Sequence, residues 1–256
     1  MIPKTIHYCW FGRNPIPDEH RGYIEGWKTL CPDYEIIEWN EGNYDVTKNR
    51  YMHEAYTAEK WGFVPDYARL DIIYNYGGIY LDTDVELLKP LDTLLENKVF
   101  MGFEGGKYVA LGLGFGATKG HPAIKKLRDY YEGISFINDD GSYNTLPCSV
   151  HQTLFLMDYG LRRVNKKQIV EGITIYPSEY FAPQSCISHK TKVTANTYSV
   201  HHYNASWFDE RQRDKWNYQG KLAKYVGGRA AQVIATIRYS GIRKTVQKIY
   251  NELILR

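Results

Sequence analysis

The sequence of 256 residues has few cysteines and no long apolar run. Its four cysteines are scattered and form no Cys-x-x-Cys pair, so the sequence indicates neither a zinc site of that type nor a disulfide framework. No apolar stretch is long enough to cross a bilayer, and no charged-then-apolar leader is present. We therefore expect a cytoplasmic protein.

The sequence also has little excess of charge of one sign, because the net charge is only +3. It is unevenly placed: residues 221–256 hold eight basic residues and one acid, Glu252. The remainder is slightly acidic, which argues against a general nucleic-acid-binding protein. Two interpretations of 221–256 stay open. It forms either a basic amphipathic surface that meets anionic lipid at the inner face of the membrane, or helices packed on the rest of the protein with solvated lysines outside.

A dinucleotide-binding fingerprint is missing as well. The glycines between Val109 and Ala117 follow a Gly-x-Gly-x-Gly pattern, which lacks the Gly-x-Gly-x-x-Gly spacing and comes late in the chain. The segment reads as one strand whose small residues leave room for a sugar. Further on, His151 and Gln152 fall in a predicted helix. A place near the acceptor is one interpretation of them, and we favour the other, a position on the surface.

The composition, 43% hydrophobic with 15% aromatic residues, is sufficient for one domain with a substantial core. Apolar strand patterns alternate with helical patterns along the chain, which predicts an α/β layered domain. We assign residues 1–220 to this domain and residues 221–256 to a basic helical C-terminal extension.

The most informative stretch runs from Phe63 to Leu88. Pro65 suits the first turn of a helix with one apolar face, and Gly77-Gly78 ends that helix. Ile79-Tyr80-Leu81 then forms a short buried strand that ends in Asp82 and Asp84. Residues two apart in an extended segment point the same way, so both carboxylates face one divalent cation. Phosphate oxygens would occupy the open positions of that cation.

Three motifs resemble glycosyltransferase family 32. They are Ile2 to Gly12, the stretch Asp66-Tyr-Ala-Arg69 with Tyr74 to Val85, and His201-His-Tyr-Asn-Ala-Ser-Trp207. The resemblance covers roughly residues 1 to 207 and implies a GT-A-like fold, a single nucleotide-binding sandwich. It also implies a glycosyltransferase that retains anomeric configuration. No general base is assigned.

The resemblance further implies the roles of individual residues. Trp10 stacks on the nucleotide base, Asp66 and Arg69 bind the donor sugar, and Asp82 lies near the ribose and a metal-bound water. Further contacts to the nucleotide sugar come from the residues Tyr80, Ser206 and Trp207.

For the metal, Asp84 is the first ligand, assisted by Asp82, with His201 and Asn204 completing the set. A histidine among oxygen ligands indicates manganese more than magnesium. The adjacent His202 is an alternative ligand; as the next residue of a strand it should face the other way.

The donor and the acceptor are less well defined by the sequence. The resemblance to toxin relatives whose tryptophan packs on uracil favours a UDP-sugar, with GDP-mannose as the alternative. The acceptor is a saccharide or a lipid-linked saccharide. The apparent lack of an N-terminal anchor favours a bacterial capsule, lipopolysaccharide or exopolysaccharide transferase over a Golgi enzyme.

Two other classes compete with this assignment. Tyr80 to Val85 also resembles the opening motif of haloacid-dehalogenase-type phosphohydrolases, in which the first aspartate is a nucleophile and the second a general acid. That motif normally lies near the start of a chain. The third possibility, a non-catalytic carbohydrate- or nucleotide-binding module, would require a broken motif, and the motif here is intact.

Overall fold

The computed structural model describes residues 1–185, 190–203 and 210–254. Strands and helices are interspersed as far as residue 201, in agreement with the predicted α/β class. The strands are β1 Thr5–Cys9, β2 Glu35–Trp39, β3 Gly78–Tyr80, β4 Val85–Leu87, β5 Val99–Glu104, β6 Tyr108–Ala110, β7 Phe115–Ala117, β8 Gln168–Val170, β9 Ile173–Tyr176 and β10 Ser199–His201. The helices are α1 Asp18–Leu30, α2 Arg50–Thr57, α3 Pro65–Tyr76, α4 Pro122–Tyr130, α5 Cys148–Met157, α6 Glu210–Val226 and α7 Gly228–Ile254.

Eight strands form one mixed sheet in the order β2-β1-β3-β7-β5-β9-β8, with β6 paired to β5. Strand β1 is parallel to β2 and β3, β7 is antiparallel to both β3 and β5, and β9 is parallel to β5. Strands β1, β3, β5 and β9 therefore run the same way and end at the same edge of the sheet. Apolar clusters on the two faces of the sheet form the core. The predicted α/β class, with the mixed sheet between helices expected of a GT-A-like domain, is confirmed.

Helix α3 leads directly into the central strand. Its residues 66–73 are all buried, so it packs in the interior rather than along one apolar face. Gly77 and Gly78 follow with positive φ values of 72° and 102°. A Cβ on Gly78 would lie 2.7 Å from the carbonyl oxygen of Thr5 in the neighbouring strand. Only glycine combines this backbone conformation with so close an approach, and the predicted helix stop is confirmed.

The segment predicted as one strand over Val109–Ala117 is instead two strands, β6 and β7, separated by the turn 111–114. Gly114 adopts a φ of 125°, and Gly114 N donates to Leu111 O over 3.3 Å. The alternating glycines permit a reversal, where alternation alone suggested continuous extended chain. This turn packs against the segment that follows β3.

A second, two-stranded sheet joins β4 to β10. The pairing is antiparallel and sets His201 opposite Val85 and Ser199 opposite Leu87. Residues that are more than a hundred positions apart in the chain thus become neighbours immediately after the Asp82–Asp84 segment.

The chain divides into two compact units, one of residues 1–183 and 192–202 and the other of residues 184–191 and 203–256. Helix α6, Glu210–Val226, runs through the predicted boundary at residue 220, and α7 is interrupted at Gly241, whose φ is 82°. Helical structure therefore begins earlier than the predicted extension 221–256. Among the helices that are described, none is both long enough and apolar enough to span a bilayer.

Candidate active site

Asp82 and Asp84 lie in the short segment between β3 and β4, at the edge where the parallel strands end. Asp82 N donates to Gly112 O over 3.1 Å, and Val85 N donates to Asp82 O over 3.1 Å. The side chains are partly exposed, 28% for Asp82 and 13% for Asp84. Two backbone hydrogen bonds thus hold a pair of accessible carboxylates.

The second sheet brings His201 to these carboxylates. His201 Nε2 lies 3.2 Å from Asp84 Oδ1, and one ligand atom each from Asp82, Asp84 and His201 fall within 4.8 Å of one another. Carboxylate oxygens with one imidazole nitrogen are a suitable donor set for a divalent transition metal ion. The residues present therefore fit the cation that the sequence motif implies.

His202 faces a different partner. Its Nε2 lies 2.9 Å from Glu86 Oε2, and its ring stacks on Tyr23 with centroids 4.8 Å apart. Adjacent strand residues point to opposite faces. The structure places the imidazole of His201, and not that of His202, beside the carboxylates of Asp82 and Asp84.

The electrostatics of His201 reflect these acids. Burial disfavours its charged form, but the charge of Asp84 and their hydrogen bond outweigh burial and raise the pKa of His201 to about 9. Asp82 and Glu104, the last residue of β5, act in the same direction. The cluster has an excess of negative charge that a divalent cation would offset.

Asp66 and Arg69 form the buried floor of the site. Arg69 Nη2 lies 3.2 Å from Asp66 Oδ1 and 3.5 Å from Asp82 Oδ1, and both members of the Asp66–Arg69 pair have side chains only 4% exposed. Arg69 Nε donates to Pro65 O over 2.9 Å, and the guanidinium lies 5.0 Å from the ring centroid of Tyr80. Burial raises the pKa of Asp66 to about 6, although Arg69 opposes the shift.

Tyr80 completes this arrangement from the end of β3. Its hydroxyl donates to Asp82 Oδ1 over 3.1 Å, and its side chain is buried. Tyr80 and Arg69 therefore approach the same carboxylate oxygen of Asp82 and fix its direction. The structure brings together six of the predicted site residues: Asp66, Arg69, Tyr80, Asp82, Asp84 and His201.

Gly112 is a site residue that sequence reasoning interpreted differently. A Cβ built on it would lie 2.0 Å from Asp82 Oδ2 and 3.2 Å from Arg69 Nη1. The space left by its missing side chain is occupied by the carboxylate of Asp82, and not by a sugar as the glycine pattern suggested. The alternating glycines indicated that something packs closely against this segment. That the Asp82 carboxylate packs against Gly112 could not be predicted without knowing the turn.

Trp10 follows β1 at the same edge of the sheet. Its ring lies 5.9 Å from that of His20, edge to face, and His20 Nδ1 is 2.9 Å from Thr83 Oγ1, between the two aspartates. A cavity of about 430 Å³ lies beside it, lined by Trp10, Arg13, Asn14, Glu38, Asn40, Glu41 and Gly42. A half-buried indole at such a cavity can stack on a planar ring. The stacking role of Trp10 stays a prediction.

The surface interpretation of His151 and Gln152 is wrong. Both are buried, 6% and 1% exposed. Gln152 Oε1 accepts from Leu111 N over 3.3 Å, and Thr153 Oγ1 accepts from Val109 N over 2.8 Å. The buried face of α5 therefore supplies polar partners for the backbone of β6 and the turn after it.

Three predicted site residues, Asn204, Ser206 and Trp207, lie outside the described residues. Their assignment as metal and nucleotide-sugar contacts therefore stays a prediction.

Residues 17–101 match the family model described as "Glycosyltransferase sugar-binding region containing DXD motif". The match contains α3, β3 and both aspartates of the motif. Residues 17–101 thus match the sugar-binding region of the DXD-containing glycosyltransferases, which confirms the resemblance that the motifs predicted.

Among curated relatives, the chain is similar to inositol phosphoceramide mannosyltransferase 3 of Schizosaccharomyces pombe, with 33% identity over 48% of this chain and 35% of the relative. It is also similar to a mannosyl phosphorylinositol ceramide synthase of Saccharomyces cerevisiae, with 31% identity over 59% of this chain and 41% of the relative. The chain therefore spans well under half the length of these relatives. Their names do not support the predicted setting in bacterial surface polysaccharide.

An uncharacterized glycosyltransferase of Acanthamoeba polyphaga mimivirus aligns over most of both chains, with 25% identity over 88% of this chain and 92% of the relative. Among solved structures, the PaToxG glycosyltransferase has a TM-score of 0.44 and 18% identity, over 50% of this chain and 60% of that one. The galactosyltransferase LgtC has a TM-score of 0.41 and 12% identity, over 93% and 97%.

Proposed function

We propose that this protein is a metal-dependent glycosyltransferase that moves a hexose from a nucleotide sugar to a saccharide or lipid-linked acceptor. The observation that carries the proposal is the convergence of Asp82, Asp84 and His201 within 4.8 Å at the edge of the sheet where Trp10 lines a cavity. A diphosphate and its base could extend from one to the other along this edge.

In this proposal Asp84 and His201 hold a divalent cation, manganese before magnesium, with Asp82 beside it. The cation would neutralise the charge that develops on the departing nucleoside diphosphate. The protein's own contribution is orientation: Tyr80 and Arg69 fix the Asp82 carboxylate, and Asp66 holds Arg69. In the assignment taken from the family, Asp66 and Arg69 also contact the donor sugar.

The stereochemical outcome proposed is retention, as the family resemblance implies. The departing phosphate would accept the proton of the acceptor hydroxyl while that hydroxyl attacks from the same face. This route needs no separate general base from the protein.

Two donors remain in the proposal. The resemblance of Trp10 to a uracil-stacking tryptophan supports a UDP-sugar. The names of two relatives describe enzymes that transfer or add a mannosyl group, which supports GDP-mannose. An indole stacks on either base. We therefore place the mannosyl donor ahead of the UDP-sugar.

The acceptor and the location follow from the same comparisons. The relatives are named for transfer to phosphoinositol ceramide lipids, which supports a lipid acceptor. The exposed Tyr225 and Ile242, among the basic residues of 221–256, support peripheral contact with anionic membrane. Vesicle flotation tests that contact. We expect the protein to float with anionic but not with neutral vesicles, and to lose this binding when the basic residues of 221–256 are replaced by neutral ones. A cytoplasmic location stays a prediction.

Donor hydrolysis tests the function. The purified protein is incubated with GDP-mannose, UDP-glucose, UDP-galactose and their N-acetylated forms, in manganese and in EDTA. We expect release of one nucleotide only with manganese, and loss of that release in Asp84→Asn, while Asp158→Asn, an exposed acid outside the site, behaves as the wild type.

Two outcomes would contradict the proposal. Release of inorganic phosphate from phosphate esters, lost in Asp82→Asn, without nucleotide release from any donor would identify a phosphohydrolase. Binding of a nucleotide sugar without any turnover would identify the non-catalytic module.

A further inference from the structure

A second cavity, of about 490 Å³, lies at the end of β9. It is lined by residues of three segments: Asn165 to Lys167, Pro177 to Pro183, and Lys192 with Thr194. None of these residues belongs to the site around Asp82 and Asp84. The cavity is large enough for a phosphorylated sugar or polyol headgroup.

The cavity is basic. Residues 162–167 carry four cations and no acid, and Lys166, Lys167 and Lys192 all line the cavity. Within residues 1–185, 190–203 and 210–254, no acid lies within ion-pair distance of these three ammonium groups. Three lysines around one cavity, none of them in an ion pair with a described acid, favour an anionic ligand.

The acid in this cavity is already engaged. Glu179 accepts from Thr194 Oγ1 over 3.0 Å through one carboxylate oxygen and from Asn196 Nδ2 over 3.1 Å through the other. Its hydrogen bonds tie the cavity wall together. The local charge therefore stays positive, by three lysines against one carboxylate.

The walls are held by hydrogen bonds independent of the lysines. Asn165 Oδ1 accepts from Ser178 N over 2.8 Å, which joins the lysine-bearing loop to the end of β9. Gln168 Nε2 donates to Arg162 O over 2.8 Å, and Thr197 Oγ1 accepts from Thr194 N over 2.9 Å. The cavity is formed before any ligand arrives, which lowers the entropic cost of binding.

The topology places this cavity on the catalytic edge of the sheet. Strand β9 is parallel to β5, and β5 runs in the same direction as β3. The ends of β3 and β9 are three strand spacings apart, roughly 14 Å. A ligand of headgroup size in the cavity can therefore extend toward Asp82 and Asp84.

We propose that this cavity binds the phosphoryl group of the acceptor, a phosphorylated polyol or sugar headgroup carried by a lipid. The lysines neutralise the phosphate, and the hydroxyl of Ser178 supplies a neutral hydrogen-bond donor beside it. Binding of the anion stands on the cavity alone, and its identity as the acceptor rests on the proposed function. A soluble phosphate ester offers the same chemistry, so the test separates the two sources.

The binding test uses the full chain and titration calorimetry. Wild type, the variant K166Q/K167Q/K192Q and the control K28Q/K98Q/K119Q, whose exposed lysines lie outside the cavity, are titrated with myo-inositol 1-phosphate, myo-inositol and inorganic phosphate. We expect the phosphate ester to bind wild type and control equally and the cavity variant roughly tenfold or more weakly. Neutral inositol should not bind. Equal binding to all three proteins, or an equal loss in the control, overturns the proposal.

The lipid source is tested with the same proteins. With vesicles of phosphatidylcholine containing phosphatidylinositol, we expect weaker recruitment of the cavity variant than of the control, and slower sugar transfer to the phosphoinositol lipid. Equal recruitment and equal transfer, with soluble ester binding still lost, would show that the cavity takes soluble anions and reject the lipid acceptor. Donor hydrolysis without acceptor should be unchanged in the cavity variant. If the wild type also fails to hydrolyse any donor, the proposed glycosyltransferase activity is refuted, whereas the proposed anion-binding site is not.

Discussion

At the scale of single residues, the site depends on the absence of a side chain at Gly112. Gly112 lets the Asp82 carboxylate lie where a methyl group would otherwise be, and Arg69 and Tyr80 hold it there. The carboxylate is thus oriented from three directions before a cation or a nucleotide arrives. Such preorganisation matters because a displacement of about 1 Å in a reacting group can reduce a rate roughly a hundredfold.

We therefore expect Gly112→Ala to reduce donor hydrolysis by tenfold to a hundredfold, roughly. The added Cβ would lie 2.0 Å from Asp82 Oδ2, so the carboxylate must move. The control is Gly133→Ala, because no atom lies within 4 Å of a Cβ built there. Steady-state hydrolysis with each folded variant measures the effect, and wild-type activity in Gly112→Ala would disprove this role.

The local secondary structure before Asp82 could be predicted from the sequence. Pro65, the paired glycines and the short strand are local signals, and they predicted the helix, its end and the two accessible carboxylates. The partner of Gly112 was not accessible, because it depends on a turn that folds back onto another strand. The contact between Asp82 and Arg69 likewise joins a strand end to a helix interior.

At the scale of elements, side chains of helix α5 accept backbone hydrogen bonds that a neighbouring strand would otherwise accept. Strand β6 pairs with β5 on one side, and on its other side the side chains of Thr153 and Gln152 accept from backbone N–H groups. The Gln152 bond is to Leu111, the first residue of the turn that holds Asp82. An interior helix with polar residues toward a strand does not show the amphipathic pattern of a surface helix, which explains why the surface interpretation was wrong.

We expect Gln152→Leu to lower the free energy of unfolding by about 1 to 3 kcal/mol, because the buried Leu111 N–H loses its acceptor. Donor hydrolysis should fall with it, since the turn that positions Asp82 loosens. Gln152→Glu keeps the acceptor oxygen and serves as the comparison. Urea unfolding with parallel activity assays distinguishes the cases; equal stability of Gln152→Leu and wild type would contradict the account.

The β4–β10 pairing is the other decisive element. It brings His201 beside Asp84, and no spacing rule predicts an antiparallel register between segments so far apart in the chain. The family resemblance supplied His201 as a candidate, and alternation along a strand separated it from His202. The register that makes this distinction concrete is a property of the folded structure.

At the scale of the whole molecule, a buried neutral histidine joins the first three strands. His7 Nε2 lies 2.9 Å from Gly77 O, and Trp39 Nε1 donates to His7 Nδ1 over 3.1 Å. The tryptophan can only donate, so Nδ1 accepts and Nε2 carries the proton. Burial lowers the pKa of His7 to about 4, against the hydrogen bond to Gly77.

This histidine should make the fold sensitive to acid. Between pH 6.5 and about 4 the unfolded chain binds a proton at His7 that the folded protein excludes, so stability falls as pH falls through this range, by about 3 kcal/mol in total. Chemical unfolding of wild type and His7→Gln across pH 4 to 7 should show a flatter profile for the variant. The exposed His53→Gln should keep the wild-type slope. Parallel profiles for wild type and His7→Gln would refute the assignment.

The central claim is that Asp82, Asp84 and His201 hold the cation on which nucleotide release depends. The most direct measurement is manganese binding by titration calorimetry, with donor hydrolysis in the same samples, for wild type, His201→Gln and His202→Gln. We predict that His201→Gln loses manganese affinity and hydrolysis together, while His202→Gln, whose imidazole faces Glu86 and Tyr23, keeps both. Loss of both in His202→Gln with retention in His201→Gln, or no change in either variant, would contradict the account.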